Sequence, residues 1–215
     1  MRTLARLTAI ATAAACAITA TGLSSADPAA NVSPAQIDSL VVPIDQIVPR
    51  MDYTTVSKVP APSPATPQSA PSPADPCYLD ALRPGAAELF GTGVQAFRDV
   101  DYSGVSNILV NQAIGVYADS AAAAAVVGRL TDSLSACRAS GRDGLNIGRM
   151  SPAGASWSGS ICGDEARAVR NVVIRVQACH MDNPAGLASS VADAISAKVN
   201  SANCCLLYTS PSPRD

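Results

Sequence analysis

The stretch "NVVIRVQAC", residues 171–179, has the clearest strand pattern in this chain of 215 residues. Arg175 and Gln177 alternate onto one face of the segment, and four apolar side chains alternate onto the other face. These apolar positions are Val172, Ile174, Val176 and Ala178. The alternation predicts a β-strand with at least one face turned towards a core.

The segments around this strand follow two other recurring patterns. Further strands are predicted over residues 94–101, 105–117, 145–150 and 155–162. Helices are predicted from Ser120 to Cys137 and after the Asn183-Pro184 pair. Consecutive strands with short connections favour an α+β domain, in which an antiparallel sheet has helices packed on one side.

A proline-rich stretch precedes these elements. Residues 59–76 contain seven prolines in eighteen positions, a density typical of an extended loop or a semi-rigid linker. Composition leaves open whether this stretch separates two domains or lies inside one. Before it, the Ser33-Pro34 pair predicts the start of a short helix, because serine favours the N-cap and proline the first helical position.

The first 26 residues are typical of an export signal. Arg2 and Arg6 precede an uncharged stretch over residues 7–23, and small residues stand before Asp27, where we expect cleavage. A membrane anchor is the first alternative, although this Ala- and Thr-rich stretch is short for a bilayer core. A second alternative is a lipoprotein anchored at Cys16. We therefore expect an extracytoplasmic protein, secreted or lipid-anchored.

The last eleven residues, 205–215, differ from everything before them. They reverse-translate in one frame into the transposase end and adapter used to prepare sequencing libraries, so we interpret them as an adapter artefact rather than a native Ser/Pro-rich tail. Without the signal segment, the adapter and Cys204 at its junction, four of the seven cysteines remain. They are Cys77, Cys137, Cys162 and Cys179.

Several segments, taken together, resemble a known family. They are residues 33–37 (SPAQI), 111–113 (NQA), 120–137, 157, 171–179 and 194–199 (AISAKV). In this order they resemble the PknH-like extracellular sensor domain of mycobacteria and related actinobacteria. The resemblance implies one α+β domain over residues 27–200 with an antiparallel sheet, two disulfides and a ligand-binding cleft. It also implies that the proline-rich stretch is an insertion within that domain.

Four cysteines in an exported chain indicate two disulfides, which can form in three pairings. We predict the pairs Cys77–Cys137 and Cys162–Cys179, the second of which would join two neighbouring strands. A zinc site from the latter pair and His180 is a weaker alternative, because the chain has no Cys-x-x-Cys spacing. We therefore expect no metal and no cofactor.

Composition argues against several classes of function. The formal net charge is -2 and no basic block occurs, which disfavours a nucleic-acid partner. The single histidine, His180, could be combined with Ser158 or Ser160 and Asp182 into a hydrolase triad, but the chain lacks a Gly-x-Ser-x-Gly motif. The acidic residues are scattered singly, so no catalytic carboxylate pair is indicated.

Four polar or aromatic side chains on the predicted strands are candidates for ligand binding. They are Arg175, Gln177, Trp157 and Gln112. An arginine in a cleft would suit a carboxylate or phosphate, whereas the alternative is a solvent-facing or satisfied core position for each residue. We expect a non-catalytic sensor domain of the cell envelope that captures a small ligand and signals to an envelope partner. The alternatives are an envelope hydrolase and a structural protein that binds a polymer or a protein.

Overall fold

A computed structural model describes residues 31–47, 56–58, 77, 87–104, 107–141 and 143–202. The predicted signal segment with Cys16, the proline-rich stretch 59–76 and the adapter segment 205–215 lie outside the described residues. The strands are β1 Val56–Lys58, β2 Ala96–Gly104, β3 Leu109–Val116, β4 Asn146–Ser151, β5 Gly154–Ser158, β6 Cys162–Val169 and β7 Val172–Cys179. The helices are α1 Ile37–Leu40, which follows a 3-10 turn over Pro34–Gln36, α2 Ile44–Ile47, α3 Ala87–Phe90, α4 Ser120–Ala139 and α5 Pro184–Ser201.

The seven strands form one sheet in the order β1-β2-β3-β7-β6-β5-β4, and all neighbours are antiparallel. The quoted stretch becomes β7, which pairs with β3 on one side and with β6 on the other. Seven of its eight residues are buried. The predicted antiparallel sheet and α+β class are confirmed.

The two long helices begin where the sequence predicts. The Asp119 side chain accepts a hydrogen bond from the backbone N–H of Ala122 at the start of α4, at 2.8 Å. The Asn183 side chain accepts from the backbone N–H of Gly186 at the start of α5, at 3.0 Å. Each cap satisfies a backbone donor that has no partner within the helix.

The expectation that the helices pack on one side of the sheet needs correction, because they cover both faces. Side chains of α5 pack with Ile174 and Val176, whereas side chains of α4 pack with Val173 and Trp157. Consecutive residues of a strand point to opposite faces, so β7 can bury a residue such as Val173 under α4 and the next one under α5. We refer to the two sides as the α4 face and the α5 face.

One predicted strand is also corrected. The sequence pattern predicts a single strand over residues 155–162, but β5 ends at Ser158 and a separate strand, β6, begins at Cys162. β6 contains Asp164, Glu165 and Arg167, and such charged residues weaken a strand pattern in sequence. Each of them has an ionic partner in the fold, which offsets the cost of placing charges in a sheet.

Side chains hold the N-terminal segment 32–47 against the α5 face. The amide of Asn171 bonds both backbone groups of Val32, donating to its carbonyl at 2.9 Å and accepting from its N–H at 2.8 Å. Lys198 of α5 donates to the carbonyls of Ser39 and Val41 at 3.2 and 2.6 Å. Burial lowers the pKa of Lys198. These bonds satisfy backbone groups that no strand neighbour reaches.

Both predicted disulfides are present. Cys77 is bonded to Cys137 at the end of α4, and Cys162 is bonded to Cys179 across the β6–β7 pair. The first crosslink spans 60 residues and the second spans 17. In the described part of the chain, no helix is both long and apolar enough to cross a membrane.

Removing the strand-to-strand disulfide by the double change Cys162→Ala and Cys179→Ala should lower the free energy of unfolding by about 3 kcal/mol, because the unfolded chain gains conformational freedom. The longer crosslink, removed by Cys77→Ala and Cys137→Ala, should contribute about 4 kcal/mol by the same reasoning. Denaturant unfolding without reductant measures both differences. Peptide mapping of the unreduced protein provides the control, and any other pairing of the four cysteines would contradict the prediction.

Candidate functional site

The structure brings three of the four candidate ligand-binding residues together. Arg175 and Gln177 on β7 and Trp157 on β5 lie on the α4 face of the sheet. Gln112 on β3 lies on the α5 face, because it pairs with Val176 of β7 and shares its orientation. The candidate site is therefore on the α4 face, and Gln112 has a different environment.

Arg175 lies at the centre of a buried cluster. Its side chain is 0% exposed, and its Nη2 donates to Asp164 Oδ1 at 3.1 Å. The guanidinium carbon lies 5.2 Å from the ring centroid of Trp157, an arrangement that adds a cation–π attraction. Asp164 and Trp157 are each 1% exposed. The positive charge of Arg175 is therefore compensated inside the protein by the carboxylate of Asp164 on the neighbouring strand β6.

Gln177 extends the cluster towards the surface. Its Nε2 donates to both carboxylate oxygens of Asp164, at 3.2 and 3.3 Å, and its side chain is half-buried. Next to it on β3, Asn111 is 3% exposed and donates from Nδ2 to Asp99 at 2.6 Å and to Asp101 at 2.5 Å. Both aspartates are half-buried side chains of β2.

These side chains form a line across the sheet that we call the polar row. The strand register places Asp101, Asn111, Gln177 and Asp164 opposite one another on four successive strands, with Asp99 beside them. Its accessible members offer oxygen acceptors and negative charge. In addition, Asn111 Oδ1 is buried and has no hydrogen-bond partner among the described residues, a state that is costly until a donor satisfies it.

Sequence reasoning missed four members of the polar row, namely Asp99, Asp101, Asn111 and Asp164. Asp99 and Asp101 were counted among scattered acidic residues, although their spacing of two on a predicted strand places both side chains on one face. Asp164 lies in the strand that the sequence pattern did not reveal. The alternation of side chains within β2 could have shown that Asp99 and Asp101 share a face. That they lie beside Asn111 follows only from the register between β2 and β3.

Gln112 is fully buried and both ends of its amide bond Val42. Its Oε1 accepts from the backbone N–H of Val42 at 2.9 Å, and its Nε2 donates to the carbonyl of Val42 at 2.8 Å. The hydroxyl of Tyr102 donates to the same carbonyl at 3.0 Å. Burial raises the pKa of Tyr102, and the charge of nearby Asp45 raises it further.

The residues considered for a hydrolase line a cavity. It measures about 510 Å³ and its lining includes Ser158, Ser160, His180 and Asp182. Within the described residues, no hydrogen bond joins the imidazole of His180 to a serine hydroxyl or to Asp182, so no triad is assembled. The zinc alternative fails because Cys162 and Cys179 are bonded to each other.

The change Asp164→Asn should lower the free energy of unfolding by roughly 3–5 kcal/mol, because it leaves a buried guanidinium without its carboxylate. Asp132→Asn on the exposed side of α4 is the matched control and should change stability by less than about 0.5 kcal/mol. The double change Asp164→Leu and Arg175→Met should recover part of the loss. Denaturant unfolding measures the free energy of unfolding of all three variants. Equal losses in Asp164→Asn and Asp132→Asn would contradict the stabilising role of the buried Asp164–Arg175 pair.

The change Gln112→Leu should lower the free energy of unfolding by about 1–3 kcal/mol, because the buried N–H of Val42 loses its acceptor. Gln95→Leu at an exposed position is the matched control for the change in side chain. Hydrogen exchange of the Val42 amide reports the local effect. Unchanged protection of that amide in the Gln112 variant would show that the side chain does not hold the segment.

Comparison with known proteins agrees with this fold. The model of the PknH-like extracellular domain family matches residues 32–198. The crystal structure of the extracellular domain of PknH from Mycobacterium tuberculosis is similar with a TM-score of 0.65 at 20% identity, covering 80% of this chain and 98% of that chain. No curated protein matches the chain. Because the family model spans most of its length, the chain belongs to the PknH-like extracellular domain family.

Proposed function

We propose that this chain is a non-catalytic sensor domain that captures a small ligand at the polar row on the α4 face. The observation that carries the proposal is the convergence of Asp99, Asp101 and the half-buried Gln177 around the buried amide of Asn111. Binding groups held by packed strands are well ordered before a ligand arrives, which reduces the entropy cost of binding.

The charges of the polar row define the ligand class. Arg175 is fully buried and paired with Asp164, whereas the more accessible charges are the carboxylates of Asp99 and Asp101. A ligand with an ammonium or guanidinium group would complement them and could donate to Asn111 Oδ1. This preference differs from the carboxylate or phosphate that an accessible arginine would favour.

The family is one of extracellular domains, which supports an extracytoplasmic location in the actinobacterial envelope. Secretion and lipid anchoring at Cys16 are the two routes to that location, and an envelope protein or component is the proposed recipient of the signal. We favour binding over hydrolysis because the polar row consists of carboxylates and side-chain amides, and no nucleophile contacts a base there among the described residues. The other alternative, a structural protein that binds a polymer or a protein through the proline-rich stretch, concerns residues outside the described part of the chain.

Thermal unfolding with a matched panel of compounds tests the proposal. Arginine, spermidine and choline represent cationic ligands, and acetate and inorganic phosphate represent anionic ones. A true cationic ligand at 100 times its Kd should stabilise the fold by about 2.7 kcal/mol. The variants Asp99→Asn and Asp101→Asn should lose this response, whereas Asp132→Asn should keep it.

Two outcomes would contradict the proposal. Stabilisation by a cation that persists in both variants would place its binding site elsewhere. The absence of any response to cationic compounds would exclude the proposed ligand class. If only the anionic compounds stabilise the fold, the variant Arg149→Gln tests whether they bind on the α5 face, where Arg149 of β4 contacts Glu165.

A further inference from the structure

A cavity lined by two arginines lies on the α5 face, at the sheet edge formed by β4, β5 and β6. It has a volume of about 330 Å³ and lies between these strands and the C-terminal half of α5. The polar side chains of its lining are Arg149, Arg167, Ser151, Ser196 and Asn200. The sheet separates this cavity from the polar row, so the two features are independent.

One buried carboxylate holds both arginines of this cavity. Glu165 on β6 is 2% exposed, and its Oε1 accepts from Arg167 Nε at 2.7 Å and from Arg149 Nη2. Arg167 is further fixed by Asp193 and Ser189 of α5, to which its Nη1 and Nη2 donate. Both guanidinium groups are therefore positioned before any ligand binds.

The four charged groups around the cavity sum to zero, but only the two positive ones line it. Glu165 carries one negative charge and is shared by two guanidinium groups, so it offsets one of them. Asp193 also contacts Arg167, but its side chain is 68% exposed, and such a pair is strongly weakened by solvent. Neither Glu165 nor Asp193 belongs to the lining, whereas both arginines do.

The arginines also retain hydrogen-bond donors. A guanidinium group has five N–H donors. Arg149, with a side chain 52% exposed, uses one of them in the described contacts, and Arg167 uses three. The hydroxyl groups of Ser151 and Ser196 and the amide of Asn200 add polar atoms around the same space.

We infer that this cavity binds a phosphate-type oxyanion between Arg149 and Arg167. Donors that come from two guanidinium groups and neighbouring polar side chains require an anion with at least three acceptor oxygens, which phosphate has and a carboxylate lacks. Arg149 is the specific contact, because it is half exposed and retains four N–H donors. Glu165 positions both guanidinium groups, and Arg167 supplies the second positive charge.

Titration of the purified full chain with inorganic phosphate tests this inference. Backbone NMR signals at Arg149, Ser196 and Asn200 should shift saturably, with a Kd on the order of 1 mM or lower at low ionic strength. Arg149→Gln should weaken binding at least about tenfold. Arg138→Gln, at an exposed position of α4 beyond the opposite face, is the matched control and should bind like the parent.

Two further ligands identify the source of the phosphate group, and an unfolding measurement shows whether the variant still folds. Glycerol 3-phosphate represents a free phosphomonoester, and vesicles of phosphatidylglycerol represent a lipid surface. The unfolding midpoint of Arg149→Gln should match the parent, because the residue lies at the surface. Binding of inorganic phosphate or glycerol 3-phosphate that Arg149→Gln weakens supports the site, whether or not vesicles also bind.

The inference is overturned if phosphate produces no saturable shifts, if Arg149→Gln binds as tightly as the parent, or if vesicles alone bind. Its failure would leave the polar row untouched, since Asp99 and Asp101 take no part in it. Conversely, loss of cation binding at the polar row would not affect the phosphate titration. The two proposals can therefore fail separately.

Discussion

Burial of β7 on both of its faces is the constraint on which the rest of the structure depends. This strand lies between β3 and β6, with α5 over one face and α4 over the other. A charged side chain on such a strand cannot reach water, so Arg175 needs a carboxylate within the protein. Asp164 provides it, and the ring of Trp157 packs against the guanidinium group.

The alternation of side chains along β6 then separates the charges of the two faces. Asp164 and Glu165 are adjacent in sequence, yet the first neutralises Arg175 under the α4 face and the second holds Arg149 and Arg167 on the α5 face. The α4 face therefore presents accessible carboxylates, and the edge of the α5 face presents accessible guanidinium groups. One sheet can thus present accessible side chains of opposite charge on its two faces.

Local signals in the sequence were sufficient for most elements. Alternating apolar residues identified β7, and the caps Asp119 and Asn183 identified the starts of α4 and α5. β6 was missed because its charged residues do not resemble a strand until their partners on other elements are known. The cluster around Asn111 was missed for the same reason, since Asp99 and Asp101 become its neighbours through the register of β2 and β3.

By itself the sequence determined most of the strands and both long helices, the α+β class, the four structural cysteines and the family resemblance, because these depend on short-range periodicity, capping and residue order. Only the tertiary structure decided that β3 pairs with β7, that helices cover both faces, and that Arg175 is paired and enclosed. The physical reason is that an alternating strand is compatible with one covered face or with two. Packing of distant segments, here α4 and α5, selects between these possibilities and fixes which charges remain accessible to a ligand.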